Sequence, residues 1–141
     1  MTWHAWAAIS AVAAGITSVF AKAGLEGVPP NLGNAVRTGF ILVLSLAVLL
    51  VSGESTSLAT LSRRTWVMLA CSALATAVSW VAFFYALADG PATPVTAIDR
   101  SSLVVTMVLA VVFLGEPFSI KTTVGVLFVV FGAVLASGTP K

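Results

Sequence analysis

Ala35-Val36-Arg37-Thr38-Gly39-Phe40-Ile41-Leu42-Val43-Leu44-Ser45-Leu46-Ala47-Val48-Leu49-Leu50-Val51 is the stretch whose reading decides the fold. From Phe40 onward it is apolar except for Ser45. A membrane strand would alternate and would be shorter, whereas a helix crossing the hydrocarbon needs about 17–25 residues at 1.5 Å each. Four further segments have the same character: Trp3–Leu25, Trp66–Leu87, Val95–Leu114 and Thr122–Ala136, the last slightly short. The expectation is an all-α, polytopic membrane protein with five transmembrane helices in one domain spanning residues 1–141.

Composition excludes the main alternatives. Of 141 residues, 59% are hydrophobic and 9% charged, against roughly 45–50% and about 25% in ordinary soluble domains. So few charges cannot cover a globular surface, which disfavours a soluble enzyme and a disordered tail. The net charge of +2 comes from 7 basic and 5 acidic groups with no basic stripe, so no nucleic-acid partner is expected. The lone Cys71 allows neither an intramolecular disulfide nor a cysteine metal cluster, and it reads as a small packing group.

Turn residues punctuate the segments as expected. Gly27-Val28-Pro29-Pro30-Asn31 separates the first two, and Asp89-Gly90-Pro91-Ala92-Thr93-Pro94 the third and fourth. Thr93 and Pro94 read as N-cap and first-turn proline of segment four. Gly115-Glu116-Pro117 ends that segment, and Ser119 is placed to cap the next. The polar connection Ser52–Thr65 carries Glu54, Arg63 and Arg64. The start, Met1-Thr2-Trp3-His4, lacks a basic n-region, so segment one reads as a retained helix rather than a cleaved signal. Trp3, Trp6 and Trp66 stand at segment ends, where indoles favour the headgroup zone, and His4 reads as interfacial.

Five spans put the termini on opposite sides of the membrane. Arg63, Arg64 and Lys121 fall on the side of the N-terminus; Lys141 falls on the other, joined by Lys22, Arg37 and Arg100 if those within or beside spans count. Lys/Arg excess orients membrane proteins. Here the bias is small or reversed, and such a chain can insert both ways.

Several phrases occur in order along the chain: Ser18-Val19-Phe20-Ala21-Lys22-Ala23-Gly24, Asn34-Ala35-Val36-Arg37-Thr38, Ser79-Trp80-Val81-Ala82-Phe83-Phe84-Tyr85-Ala86-Leu87, Ala97-Ile98-Asp99-Arg100 and Phe113-Leu114-Gly115-Glu116-Pro117. Together they resemble the EamA-like family of the drug/metabolite transporter superfamily, specifically its short single-domain members from bacteria and archaea. Larger relatives carry two such five-helix units in opposite orientation. The resemblance therefore implies one half-unit of a two-repeat transporter in the inner membrane, completed by a homodimer, with antiparallel pairing favoured. It also implies a small-molecule substrate without naming it.

Ionisable groups inside spans are expensive and point to function. Thr96, Asp99, Ser102 and Thr106 are spaced 3, 3 and 4 and would share one helical face. They read either as a polar substrate path with Asp99 coupling to a cation, or as a buried ion pair with hydroxyls bonded back to the backbone. Arg100 projects about 100° from Asp99, which leaves Arg37 as the better partner for that carboxylate. Arg37 and Arg100 read as substrate-path residues that balance charge or attract an anionic group, with Lys22 beside the same path; all three also read as residues that snorkel to headgroups. In segment three, Thr76, Trp80, Phe83 and Phe84 form a face with Tyr85 beside it, either an aromatic wall for amphiphilic or cationic solutes or interhelical filling.

Small residues suggest close helix approach. Ala7, Ala11, Gly15 and Ser18 line segment one, and Gly125, Gly132 and Ala136 line segment five. The Gly125–Gly132 spacing is similar to the dimerising last helix of the small multidrug resistance branch; packing within one chain is the other reading. One His, no paired carboxylates, no phosphate loop and no metal spacing leave no catalytic constellation and imply no cofactor. The expected function is alternating-access transport around a central cavity lined by segments one, three and four. The alternatives are a lipid-linked flippase subunit or a non-transporting membrane assembly or regulatory partner.

Overall fold

A computed structural model describes residues 2–55 and 60–138. The charge of Lys141, the first residue Met1 and the middle of the Ser52–Thr65 connection lie outside the described residues. The elements are α1 (Trp3–Gly24), α2 (Pro30–Ser52), α3 (Arg63–Asp89), α4 (Ala92–Asp99), α5 (Ser102–Leu109), a π-helical turn (Ala110–Leu114) and α6 (Ile120–Ser137). There is no strand among the described residues. Five stretches are long and apolar enough to cross a membrane: α1, α2, α3, the composite span Ala92–Leu114, and α6. The all-α, five-span reading is met.

Burial is inverted relative to a soluble domain. Val51 is 90% exposed, Phe113 77% and Phe20 73%, while Leu25, Phe84, Leu87 and Ala133 are the buried apolar residues. Contiguous apolar surface on this scale has no stable place in water, and lipid is the solvent that accommodates it. Cys71 is exposed on α3, so it faces outward rather than packing inside.

Several helix ends differ from the sequence reading. The second helix begins at Pro30, five residues before Ala35, with Pro30 in its first turn, where the missing N–H removes no intrahelical bond. The third extends at both ends, to Arg63 and Asp89. The fourth starts at Ala92 with Pro91 as its N-cap, which corrects the assignment of Thr93 as cap. Pro94 is then the third helical residue, and Val95 N–H makes the bond to Pro91 O at 3.3 Å. Ser119 does cap α6, accepting from Thr122 N–H at 3.4 Å. Gly115, at φ 67°, ends the π-helical turn in the left-handed region that glycine enters without strain.

The fourth span is not one helix, contrary to the expectation of a single helix over 95–114. Between α4 and α5, Ser101 N–H bonds to Ile98 O at 2.9 Å, Leu103 N–H to Arg100 O at 3.1 Å and Val104 N–H to Ser101 O at 3.0 Å. These are i→i−3 bonds, so the chain tightens into a 3₁₀ joint. The joint contains neither proline nor glycine.

The chain forms two compact units, one of residues 1–20 with 89–141 and one of residues 21–88. In the first, α6 packs against α4 and more lightly against α5. Thr123 Oγ1 on α6 contacts Met107 Sδ at 3.6 Å. In the second, the end of α1, the turn after it, α2 and the C-terminal part of α3 supply the buried residues Leu25, Phe84 and Leu87.

Candidate functional site

In the unit of residues 21–88, polar and aromatic residues gather where the start of α2 meets the end of α3. Asn31 Nδ2 donates to Tyr85 Oη at 3.0 Å. Two helical turns further along α2, the Arg37 guanidinium carbon stands 4.1 Å from the centroid of the Trp80 ring and 5.8 Å from that of Phe84. Progress along α2 is matched by retreat along α3, so the two helices run antiparallel here. Asn31, Asn34 and Arg37 recur every third residue and share one side of α2. The Asn34 Oδ1 atom between the other two is buried and has no hydrogen-bond partner.

Gly33 makes this approach possible. A Cβ on it would stand 2.7 Å from Leu25 Cδ2 and 3.6 Å from Phe84 Cε1. The absent side chain lets the first turn of α2 settle against both residues. Lys22, near the end of α1, reaches across the unit and donates from Nζ to Leu87 O at 2.6 Å and to Ala88 O at 3.2 Å. These carbonyls lie in the last turn of α3, where no intrahelical donor remains for them. The cation also stands at the negative end of the helix dipole. Lys22 is thus a helix cap rather than a snorkelling side chain.

The other residues singled out in the sequence make contacts of their own. Thr76, on the same helix as Trp80, is exposed and donates to Ser72 O at 2.9 Å. Tyr85 is 48% exposed beyond its bond to Asn31. Ser18 is buried and donates to Ala14 O at 3.1 Å. Arg37 and Asp99 belong to different units.

Within the fourth span the four stripe residues divide. Thr106 is exposed and its hydroxyl bonds back to Ser102 O at 3.2 Å. Thr96 Oγ1, in contrast, is buried with no hydrogen-bond partner. Asp99 is half-buried as the last residue of α4, and Arg100 is exposed in the joint. The 3₁₀ bonds turn Ser101 and Leu103 N–H away from Ala97 O and Asp99 O, their i−4 acceptors in an unbroken helix. Arg100 lies eight residues into the 23-residue span, which places the joint about 12 Å along a helix path of about 34 Å. A shallow cleft at the far end of this span is lined by Thr106, Met107, Glu116, Ser119 and Thr122.

The small-residue stripes are open at their glycines. Among the described residues, and apart from the adjoining helix backbone, nothing stands within 4 Å of where a Cβ would be at Gly125, Gly132 or Gly15. Ala136 is half-buried. At the N-terminus, His4 stacks on Trp3 with ring centroids 3.5 Å apart.

Sequence reasoning picked out Arg37, Trp80 and Phe84 separately and missed that the protein joins them. It also missed Asn31 and Asn34, whose signal was their three-residue spacing from Arg37, hidden because α2 was started too late.

Five apolar spans, one of them interrupted at polar residues, define a multi-pass membrane protein. The chain belongs to the EamA-like transporter family, which residues 1–138 match. It is similar to a protein of Sinorhizobium sp. called an uncharacterized transporter in the cobO 3' region, with 37% identity over 134 residues, 95% of each chain. No solved structure matches it.

Proposed function

We propose that the protein moves a small metabolite or drug-like solute across a bacterial or archaeal inner membrane by alternating access, as an inverted homodimer. The observation that carries this reading is the 3₁₀ joint in the fourth span. Backbone groups deprived of their helical partners are not tolerated against lipid; at membrane depth they occur where they line protein or a water-filled path. A span interrupted beside Asp99, Ser101 and Ser102, with the Thr96 hydroxyl unpaired one turn earlier, has the character of the broken helices that bind substrates and ions in repeat-built transporters. A purely structural membrane partner has no use for such a helix.

The open Gly125 and Gly132 positions on α6 support the homodimer, since among the described residues nothing stands within 4 Å of where either Cβ would be. Asp99 is the group assigned to coupling, through a proton or another cation.

Flux in proteoliposomes tests the reading. Purified protein should accumulate a labelled solute from a metabolite panel, and a pH gradient should drive it. Asp99→Asn should abolish the response to the gradient. A flux indifferent to both the substitution and the gradient removes proton coupling, and a panel with no flux above empty vesicles removes transport.

A further inference from the structure

We propose that Arg37, on its Trp80 platform, is the docking point for the carboxylate of an organic anion, and that the transported solute belongs to that class. The inference rests on the transport reading above and gives it a substrate chemistry.

Arg37 is charged, half-buried and seven residues into a membrane-spanning helix, about 10 Å from its start. A guanidinium so placed requires compensation. Its contacts are the rings of Trp80 and Phe84, and within its unit no acceptor takes a hydrogen bond from it among the described residues. Ring contact balances part of the charge but supplies no anion, and guanidinium carries five N–H donors in a fork that fits a carboxylate. The two carboxylates of the unit do not fill the role. Glu26 lies in the turn before α2, Glu54 lies beyond its C-terminal end, and both are exposed.

The aromatic wall reinforces the choice of sign. Alone, Trp80 and Phe84 would suit a cationic solute. With Arg37 against Trp80, the nearest cation to that ring is the protein's own, and an incoming ammonium meets repulsion. Lys22, bound to Leu87 O seven residues along α3 from Trp80, adds a second positive charge to the same unit. Phe84 offers apolar contact for the body of the solute, and the unpaired Asn34 Oδ1 can accept from an N–H or O–H on it.

The test uses the full chain in phosphatidylcholine nanodiscs and three labelled probes of one shape: phenylacetate, phenylacetamide and phenethylamine. Equilibrium dialysis should show saturable phenylacetate binding above empty discs, with the amide and amine at least tenfold weaker. Arg37→Gln should lower phenylacetate affinity at least tenfold; Arg37→Lys should lower it less, and its elution profile checks that the fold survives. Equal binding of all three probes, or phenylacetate binding unchanged in Arg37→Gln, overturns the proposal. Complete loss of binding in discs of anionic lipid also overturns it, by assigning the site to a lipid headgroup phosphate. Uptake of phenethylamine but not phenylacetate into proteoliposomes would overturn this substrate class while leaving transport standing.

Discussion

Replacing Lys22 with methionine isolates the contribution of one cation to the unit of residues 21–88. Methionine keeps most of the apolar stem, so the packing around α1 is preserved and only the ammonium is lost. Two acceptors then lose their donor: Leu87 O at 2.6 Å and Ala88 O at 3.2 Å. Leu87 is fully buried, so its carbonyl has no route to water, whereas half-buried Ala88 can recover part of its hydration. An acceptor left unpaired in a buried place costs about 1–3 kcal/mol. The lost interaction with the end of the α3 dipole adds about 0.3–1 kcal/mol. Lys22→Met should therefore destabilise the protein by about 2–3 kcal/mol, while Lys22→Arg, which restores a cation with donors, should recover more than half. Unfolding in mixed micelles with increasing SDS, followed by circular dichroism, reads both values. A loss below about 0.5 kcal/mol for the methionine variant, the range of a surface substitution away from any special feature, would refute the cap. So would an arginine variant as unstable as the methionine one.

Three further outcomes follow from the geometry. Gly33→Ala must push Leu25 Cδ2 from 2.7 Å, but a leucine terminus moves readily and alanine favours the helix, so its net effect should stay within about 1 kcal/mol; Gly33→Leu should lose about 1–3 kcal/mol by overpacking, partly recovered by Leu25→Ala, all read in the same SDS titration. At Gly132 a Cβ would meet no described neighbour outside the adjoining backbone within 4 Å, so in Gly132→Leu the helices should unfold as in wild type while the crosslinked dimer fraction falls; an unchanged dimer removes α6 from the interface. A C-terminal tag with reporters active on only one membrane side should give comparable signals from both, and signal from one alone would remove dual insertion.

The existence of the spans was legible because continuous apolar runs leave no other structure in lipid. Local end signals were legible where one residue decides, as at Ser119 and Gly115. What escaped had tertiary causes. Asn31, Gly33 and Asn34 are poor helix formers, yet Pro30 fixes the first turn and Tyr85, Phe84 and Leu25 hold it in place. The end of α3 is set by Lys22, 67 positions from Asp89 along the chain, which no local pattern announces. The 3₁₀ joint has no proline or glycine to mark it. In the candidate site, each charged or aromatic residue was visible, but not the contact between Arg37 and Trp80, because a periodic pattern gives the face of a helix and not its neighbour.

The joint in the fourth span also redistributes direction. Successive residues turn about 100° in an α-helix and about 120° in a 3₁₀-helix. Three residues of overwinding therefore carry everything beyond Ser101 about 60° further around the axis than an unbroken helix would. Thr96, Asp99, Ser102 and Thr106, which would spread over about 120° on an unbroken helix, are thereby drawn into about 60°. Rewinding the joint to α-helical bonds would swing the two hydroxyls back through the same angle and spread the four polar groups apart again. The choice between a narrow and a spread polar wall thus rests on the hydrogen bonds of Ser101, Leu103 and Val104, whose amide exchange would register it.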